Sequence, residues 1–101
     1  MRELSDIRKD IDKIDSEMLD LFKRRMDCAR EVALYKKENN IPIFNARREN
    51  EILAEVQTNG GEYGEAAKEL FSKLMELSRE LQKAIATEPQ SVSPFDNRAL
   101  I

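Results

Sequence analysis

An apolar stripe runs through residues 4 to 35, and no Gly or Pro interrupts it before Pro42. Its members are Leu4, Ile7, Ile11, Ile14, Met18, Leu21, Arg25, Cys28, Val32 and Tyr35. Steps of three and four keep one face of one helix in line. A helix over residues 5–37 is a rod of roughly 50 Å. A compact domain of about 100 residues has a radius of gyration of only about 13 Å. The rest of the chain cannot cover such a rod along its length, so the stripe calls for a partner chain. A two-fold homodimer is the commonest arrangement that supplies one.

Two cations break the stripe pattern. Arg25 lies on it, and Lys36 falls on the neighbouring line Phe22, Arg25, Ala29, Val32, Lys36. A cation turned inward is unfavourable unless a counter-charge meets it. No acid lies on the same line, which suggests an anionic ligand as the counter-charge. Two other readings stand beside that one: snorkelling side chains whose heads reach water, and salt bridges between chains at a helical seam.

The rest of the chain supplies two shorter helices. Ser5 is the expected N-cap of the first helix, with Asp6 in its first turn. Ile41 before Pro42 is biased away from helix, so the first helix should end between residues 37 and 40. Asn45 is an N-cap for a second helix carrying Ile52, Leu53 and Val56, and Asn59-Gly60-Gly61 stops it. A third helix spans about 65–86, with Ala67, Leu70, Phe71, Leu74, Leu77, Leu81 and Ile85 expected on its inner side. Residues 87–101 contain Pro89 and Pro94 without periodicity and read as a linker or disordered tail. The fold class is therefore all-α, with three helices per chain, one very long, in a single domain over residues 1–86.

Composition narrows the function. The 101 residues carry a net charge of −3, whereas a nucleic-acid binder would present a net basic footprint. No apolar run has the length of a membrane span, and the opening residues lack the apolar core of a signal peptide. A cytoplasmic protein is expected, with Cys28 as a small core residue kept reduced. His is absent and Cys28 is the lone Cys, which argues against a transition-metal site and excludes His-based acid–base chemistry. Catalysis would have to use carboxylates, cations, amides and hydroxyls.

Several further residues are candidates. Arg8 borders the stripe but lies 17 positions before Arg25, roughly 25 Å along the axis. One small ligand cannot touch both from the same helix. Arg8 is either a solvated flank residue, which its spacing alone favours, or it serves a site on the partner. Arg48 and Glu49 open the second helix and share a face with Ile52 and Val56. Arg in a first turn conflicts mildly with the helix dipole, which favours a functional role. Ser78 lies on the apolar line of the third helix, where it could simply bond back to a carbonyl one turn earlier. Gln82 lies one turn on, on the side of Met75, where a Gln is usually solvated.

Together these pieces resemble the all-helical chorismate mutase family over roughly residues 4–86. The matching segments are Leu4-x-x-Ile7-Arg8, Ile14-Asp15, Leu21-x-x-Arg24-Arg25, Val32-x-x-Tyr35-Lys36, Pro42-Ile43, Arg47-Arg48-Glu49 and Ser78-x-x-x-Gln82. The resemblance implies an intertwined homodimeric helical bundle with two sites, each completed by the partner's first helix. It implies the rearrangement of chorismate to prephenate in phenylalanine and tyrosine biosynthesis, with no cofactor and no metal. It assigns Arg25 and the partner's Arg8 to one substrate carboxylate, and Arg48 with Ser78 to the other. It gives Lys36 and Gln82 to the ether oxygen, Glu49 to the ring hydroxyl, and Val32 and Met75 to the apolar faces.

Two positions depart from the family pattern. Asn45 stands where relatives often carry an Asp that contacts the hydroxyl. Arg79 stands at the pocket edge where an apolar residue is common, and the sequence leaves its direction open. The same fold also serves isochorismate-pyruvate lyases, and a non-catalytic helical dimerisation module is a third reading. The full set Arg48, Glu49, Ser78 and Gln82 favours the mutase, either free-standing or as one domain of a bifunctional enzyme.

Overall fold

The computed structural model describes residues 1–88. Helix α1 spans Leu4–Glu38 and α2 spans Ala46–Asn59. A 310 turn at Gly61–Tyr63 then leads into α3 over Gly64–Thr87. The described residues contain no strand. The tail expected from residue 87 falls, from residue 89 on, outside the described residues. Among those described, no helix is long and apolar enough to cross a membrane.

The 35 residues of α1 form an unbroken rod, and the molecule is 57 Å in its longest dimension. The start of α1 corrects the sequence reading. Glu3, not Ser5, occupies the N-cap position, and no side chain caps it. The Glu3 carbonyl accepts the N–H groups of Asp6 and Ile7, both at 3.1 Å. Arg2 donates to the Asp6 carbonyl at 3.3 Å and pairs with Asp10. These bonds draw Leu4 and Ser5 into the first turn.

The other end of α1 stops as the sequence requires. Asn40 takes a left-handed φ of 54°, and the Ile41 N–H returns to the Lys36 carbonyl at 2.8 Å. This closure satisfies an orphan carbonyl, and Asn tolerates the left-handed position better than most residues. The side chain of Asn39 adds a bond to the Tyr35 carbonyl at 2.9 Å. Pro42 then bars any return to helix.

α3 is the hub: it packs on α1 and on α2, while α1 and α2 make no close backbone approach. Its junction with α2 depends on two glycines. Gly61 turns the chain with a φ of 56°. Gly64 is buried, and a Cβ built there would lie 2.2 Å from the Gln57 carbonyl oxygen.

The apolar core of the described chain is small: Ala29 and Ala33 of α1 with Met75 and Ile85 of α3. Gln82 is buried with them at 7% exposure. The sequence reading of α3 therefore shifts by part of a turn. Leu70, expected inside, is half-exposed, and the buried line runs through Met75, Gln82 and Ile85. Cys28 is also corrected, since it is exposed in the chain and not a core residue. Leu4, Ile11, Ile14, Met18 and Leu21 are each about half-exposed. Within one chain the stripe of α1 thus stays uncovered along its N-terminal half.

The tightest backbone approach yields a stability prediction. Gly64→Ala should destabilise the fold by about 2 kcal/mol, because the methyl meets a carbonyl that has no room to retreat. Gly61→Ala should lose about 1 kcal/mol from the left-handed φ alone, since that position opens onto free space. Urea unfolding by circular dichroism at one protein concentration compares them. A Gly64→Ala chain as stable as wild type would contradict the close approach.

Candidate active site

A cleft of about 330 Å³ opens between α1 and α2, with α3 on its remaining side. α1 contributes Arg25, Cys28, Ala29, Val32 and Lys36. The connector and α2 contribute Ile43, Asn45, Arg48, Glu49 and Ile52, and α3 contributes Met75, Ser78, Arg79 and Gln82. Each helix presents these residues at steps of three or four, as one face requires.

Every sequence-derived candidate except Arg8 lines this one cleft. Arg8 is exposed, nearer the N-terminus of α1. A separation of roughly 25 Å from Arg25 along the same helix keeps it away.

Polar groups on the cleft wall form a chain. The Lys36 ammonium donates to the Ile43 carbonyl at 2.6 Å and to Gln82 Oε1 at 3.4 Å. Gln82 Nε2 donates to Ser78 Oγ at 3.0 Å. The ammonium can only donate, so the Gln82 atom facing it must be the oxygen. That fixes the amide, turning its NH₂ toward Ser78. Counting protons shows what is left for a ligand: one of three on Lys36, one of two on Gln82, and the hydroxyl proton of Ser78. The buried Gln82 is therefore held by partners at both ends, and Ser78 is engaged by Gln82.

The cleft is strongly cationic. Arg25, Lys36, Arg48 and Arg79 face a single acid, Glu49. Lys36 is met by neutral acceptors. Arg25 and Arg48 have no ion-pair partner among the described residues. Arg79 pairs with Glu49, and both side chains are largely buried, at 27% and 20% exposure. The Arg79 guanidinium also lies over the Phe44 ring, 5.4 Å from its centroid. Sequence reasoning left the direction of Arg79 open. Its spacing of four from Met75 and three from Gln82 was the available signal. The part played by the Ile43 carbonyl left no side-chain signal at all.

Asn45 does structural work at the rim. Its Oδ1 accepts the Arg48 N–H at 3.1 Å and caps α2, as its sequence position requires. The cap fixes the first turn, from which Arg48 and Glu49 reach the cleft.

What this arrangement can do chemically is bind an anion with more than one carboxylate while placing neutral and cationic donors on its interior. A nucleophile with an adjacent base is absent among the cleft-lining residues.

Comparison with known proteins places this architecture. Residues 7–83 match the family model of chorismate mutase type II. A chorismate mutase of Methanocaldococcus jannaschii is 32% identical over 94 residues, covering 90% of this chain and 95% of that protein. A bifunctional chorismate mutase/prephenate dehydratase of Aquifex aeolicus is 33% identical over 91 residues, covering 84% of this chain but 25% of that protein. The T-protein of Haemophilus influenzae is 34% identical over 53 residues, covering 52% of this chain and 14% of that protein. No solved structure gives a significant match.

The cap on α2 can be tested apart from any ligand. Asn45→Ala should destabilise the protein by about 1 kcal/mol, while Asn45→Asp should retain wild-type stability, since either oxygen can accept the Arg48 N–H. Thermal unfolding of the three proteins decides it. An Asn45→Ala protein as stable as wild type would show that the cap contributes nothing.

Proposed function

The chain belongs to the chorismate mutase type II family, and from that premise we propose that it rearranges chorismate to prephenate in a site shared between two identical chains. The observation that carries this reading is the cleft itself. Cations, a fixed amide and a hydroxyl line one concave surface around a single acid. Chorismate is a dicarboxylate, and its rearrangement is a unimolecular pericyclic shift. Such a reaction needs a compact conformer and stabilised charge on the breaking ether bond, without nucleophile, metal or acid–base pair.

Each residue has a role that its position supports. Arg25, with the partner's Arg8, holds the enolpyruvyl carboxylate. Arg48 holds the ring carboxylate, with the Ser78 hydroxyl beside it. A guanidinium offers a planar fork that matches a carboxylate. The spare protons of Lys36 and Gln82 meet the ether oxygen, where negative charge grows in the transition state. Glu49 accepts from the ring hydroxyl, with Asn45 at its edge, and Val32 and Met75 pack the apolar faces. Residues 1–86 form the catalytic unit, which can also stand as one domain of a longer enzyme.

The dimer rests on the uncovered half of α1. Burying one Leu or Ile side chain is worth about 1.5–3 kcal/mol, and five such large apolar residues lie half-exposed there. Pairing two rods around a two-fold axis covers both stripes at once. It also carries Arg8 from its remote place on one chain to the cleft of the other.

Lys36→Ala and Gln82→Ala should each lower kcat by roughly 10²-fold with little change in KM, because the charge they meet exists only in the transition state. Chorismate disappearance followed by ultraviolet absorbance, with isochorismate as a parallel substrate, is the direct assay. An elevated KM with intact kcat would refute the assigned roles. Conversion of isochorismate in place of chorismate would identify a lyase.

Subunit sharing predicts complementation. Arg8→Ala and Arg25→Ala homodimers should both be nearly inactive. Mixed under subunit exchange, they should regain about a quarter of wild-type activity, because half the dimers are then mixed and each mixed dimer holds one intact site. Mixed dimers confirmed by mass but without activity would return Arg8 to a solvated flank.

A further inference from the structure

Arg79 has no role in the reading above, yet it forms an ion pair with Glu49 inside the cleft. From its placement we infer that Arg79 is a positioning residue. It holds one oxygen of Glu49 and neutralises its charge, so that a dianionic substrate can settle beside the only acid among the described residues of the cleft. The inference rests on the proposed mutase activity.

The geometry supplies the argument. Nη1 of Arg79 donates to Glu49 Oε1 across the gap between α3 and α2. The guanidinium lies at the same time over the ring of Phe44 in the connector, 5.4 Å from its centroid. One side chain thus ties α3 to the acid and to the segment that leads into α2. A carboxylate has two oxygens, and occupying Oε1 leaves Oε2 to accept a ligand hydroxyl. Contacts on both the ring and the acid limit the rotamers open to Arg79, and through it those open to Glu49.

Electrostatics point the same way. An unpaired Glu49 would repel both carboxylates of a dianion in a partly desolvated cleft, where charges are poorly screened. Paired with Arg79, it keeps its acceptor oxygen and loses most of that repulsion. The ring beneath the cation adds a cation–π attraction that helps hold Arg79 in place.

Because Glu49 would meet the hydroxyl in substrate and transition state alike, removing its holder should weaken binding more than turnover. The test uses Arg79→Gln and Arg79→Lys, each made in the wild-type and in the Glu49→Gln background. Far-UV circular dichroism and thermal unfolding establish that the proteins fold. With chorismate, Arg79→Gln should raise KM about tenfold while kcat stays within about threefold. Arg79→Lys should recover part of that loss by restoring the charge. In the Glu49→Gln background, Arg79→Gln should change KM by less than about threefold, because no carboxylate remains to be held.

An unchanged KM in Arg79→Gln would overturn the inference while the mutase reading stood. So would an equal KM effect in both backgrounds, which would mark Arg79 as a direct ligand or a purely structural residue. Should Arg79→Gln unfold, Arg79→Lys decides in its place. A KM raised only when Glu49 is present supports the inference, and any other pattern overturns it. A wild-type chain inert toward chorismate would remove the mutase reading itself.

Discussion

The seam between α1 and α3 is the contact on which the rest of the structure depends. Ala29 and Ala33 keep α1 slim where α3 crosses it, and Met75, Gln82 and Ile85 fill the space. Placing a Gln in that seam is unusual, since a buried amide is tolerated only when its hydrogen bonds are met. Lys36 and Ser78 meet them. The seam therefore builds the fold and one wall of the cleft with the same residues. Lys37 fastens it a little further along, through the Ile85 carbonyl at 3.2 Å and the Glu88 carbonyl.

From this seam the cleft follows as a consequence of connectivity. α2 packs on α3 and makes no close backbone approach to α1, so a space remains between the first two helices. The connector closes one end of that space, because the Schellman-type stop at Asn40 and the cap at Asn45 fix both of its ends. The cations that line the space are kept there by different means. Lys36 is held by neutral acceptors and Arg79 by an acid, while Arg25 and Arg48 remain available to an anion. Such a surface is organised before any ligand arrives, which is where electrostatic stabilisation is most effective.

Much of this was legible in the residues. Periodicity located all three helices, because long amphipathic segments carry a strong repeat signal. The Asn45 cap and the Gly60-Gly61 stop were legible for the same local reason. The inward cations Arg25 and Lys36 stood out as exceptions to the stripe. Other features depend on contacts that no linear pattern encodes. Ser5 looked like a cap, but backbone bonds from Glu3 start the helix earlier. Cys28 and Leu70 followed their stripes, yet in the single chain Cys28 borders the open cleft and Leu70 stays half-exposed. Gln82 looked solvated because the partner of its amide oxygen, Lys36, lies 46 residues away, beyond the reach of any local pattern. Arg79 looked ambiguous because its direction is set by Glu49, 30 residues earlier.

The bond from Lys36 to the Ile43 carbonyl has a consequence for how such a chain can be elaborated. Surface connections ordinarily absorb insertions with little harm. Here the segment between the first two helices is anchored to an ammonium that also faces the cleft, so its length is part of the geometry of the cleft. Added residues there would pull a backbone carbonyl off Lys36 and leave one of its protons without an acceptor. The bend at Gly61 lies open to space and away from the cleft. Of the two bends among the described residues, the one before Ala46 has its length tied to Lys36, and the one after Asn59 has its length tied to the close approach of Gly64 to the Gln57 carbonyl, with only Gly61 facing open space.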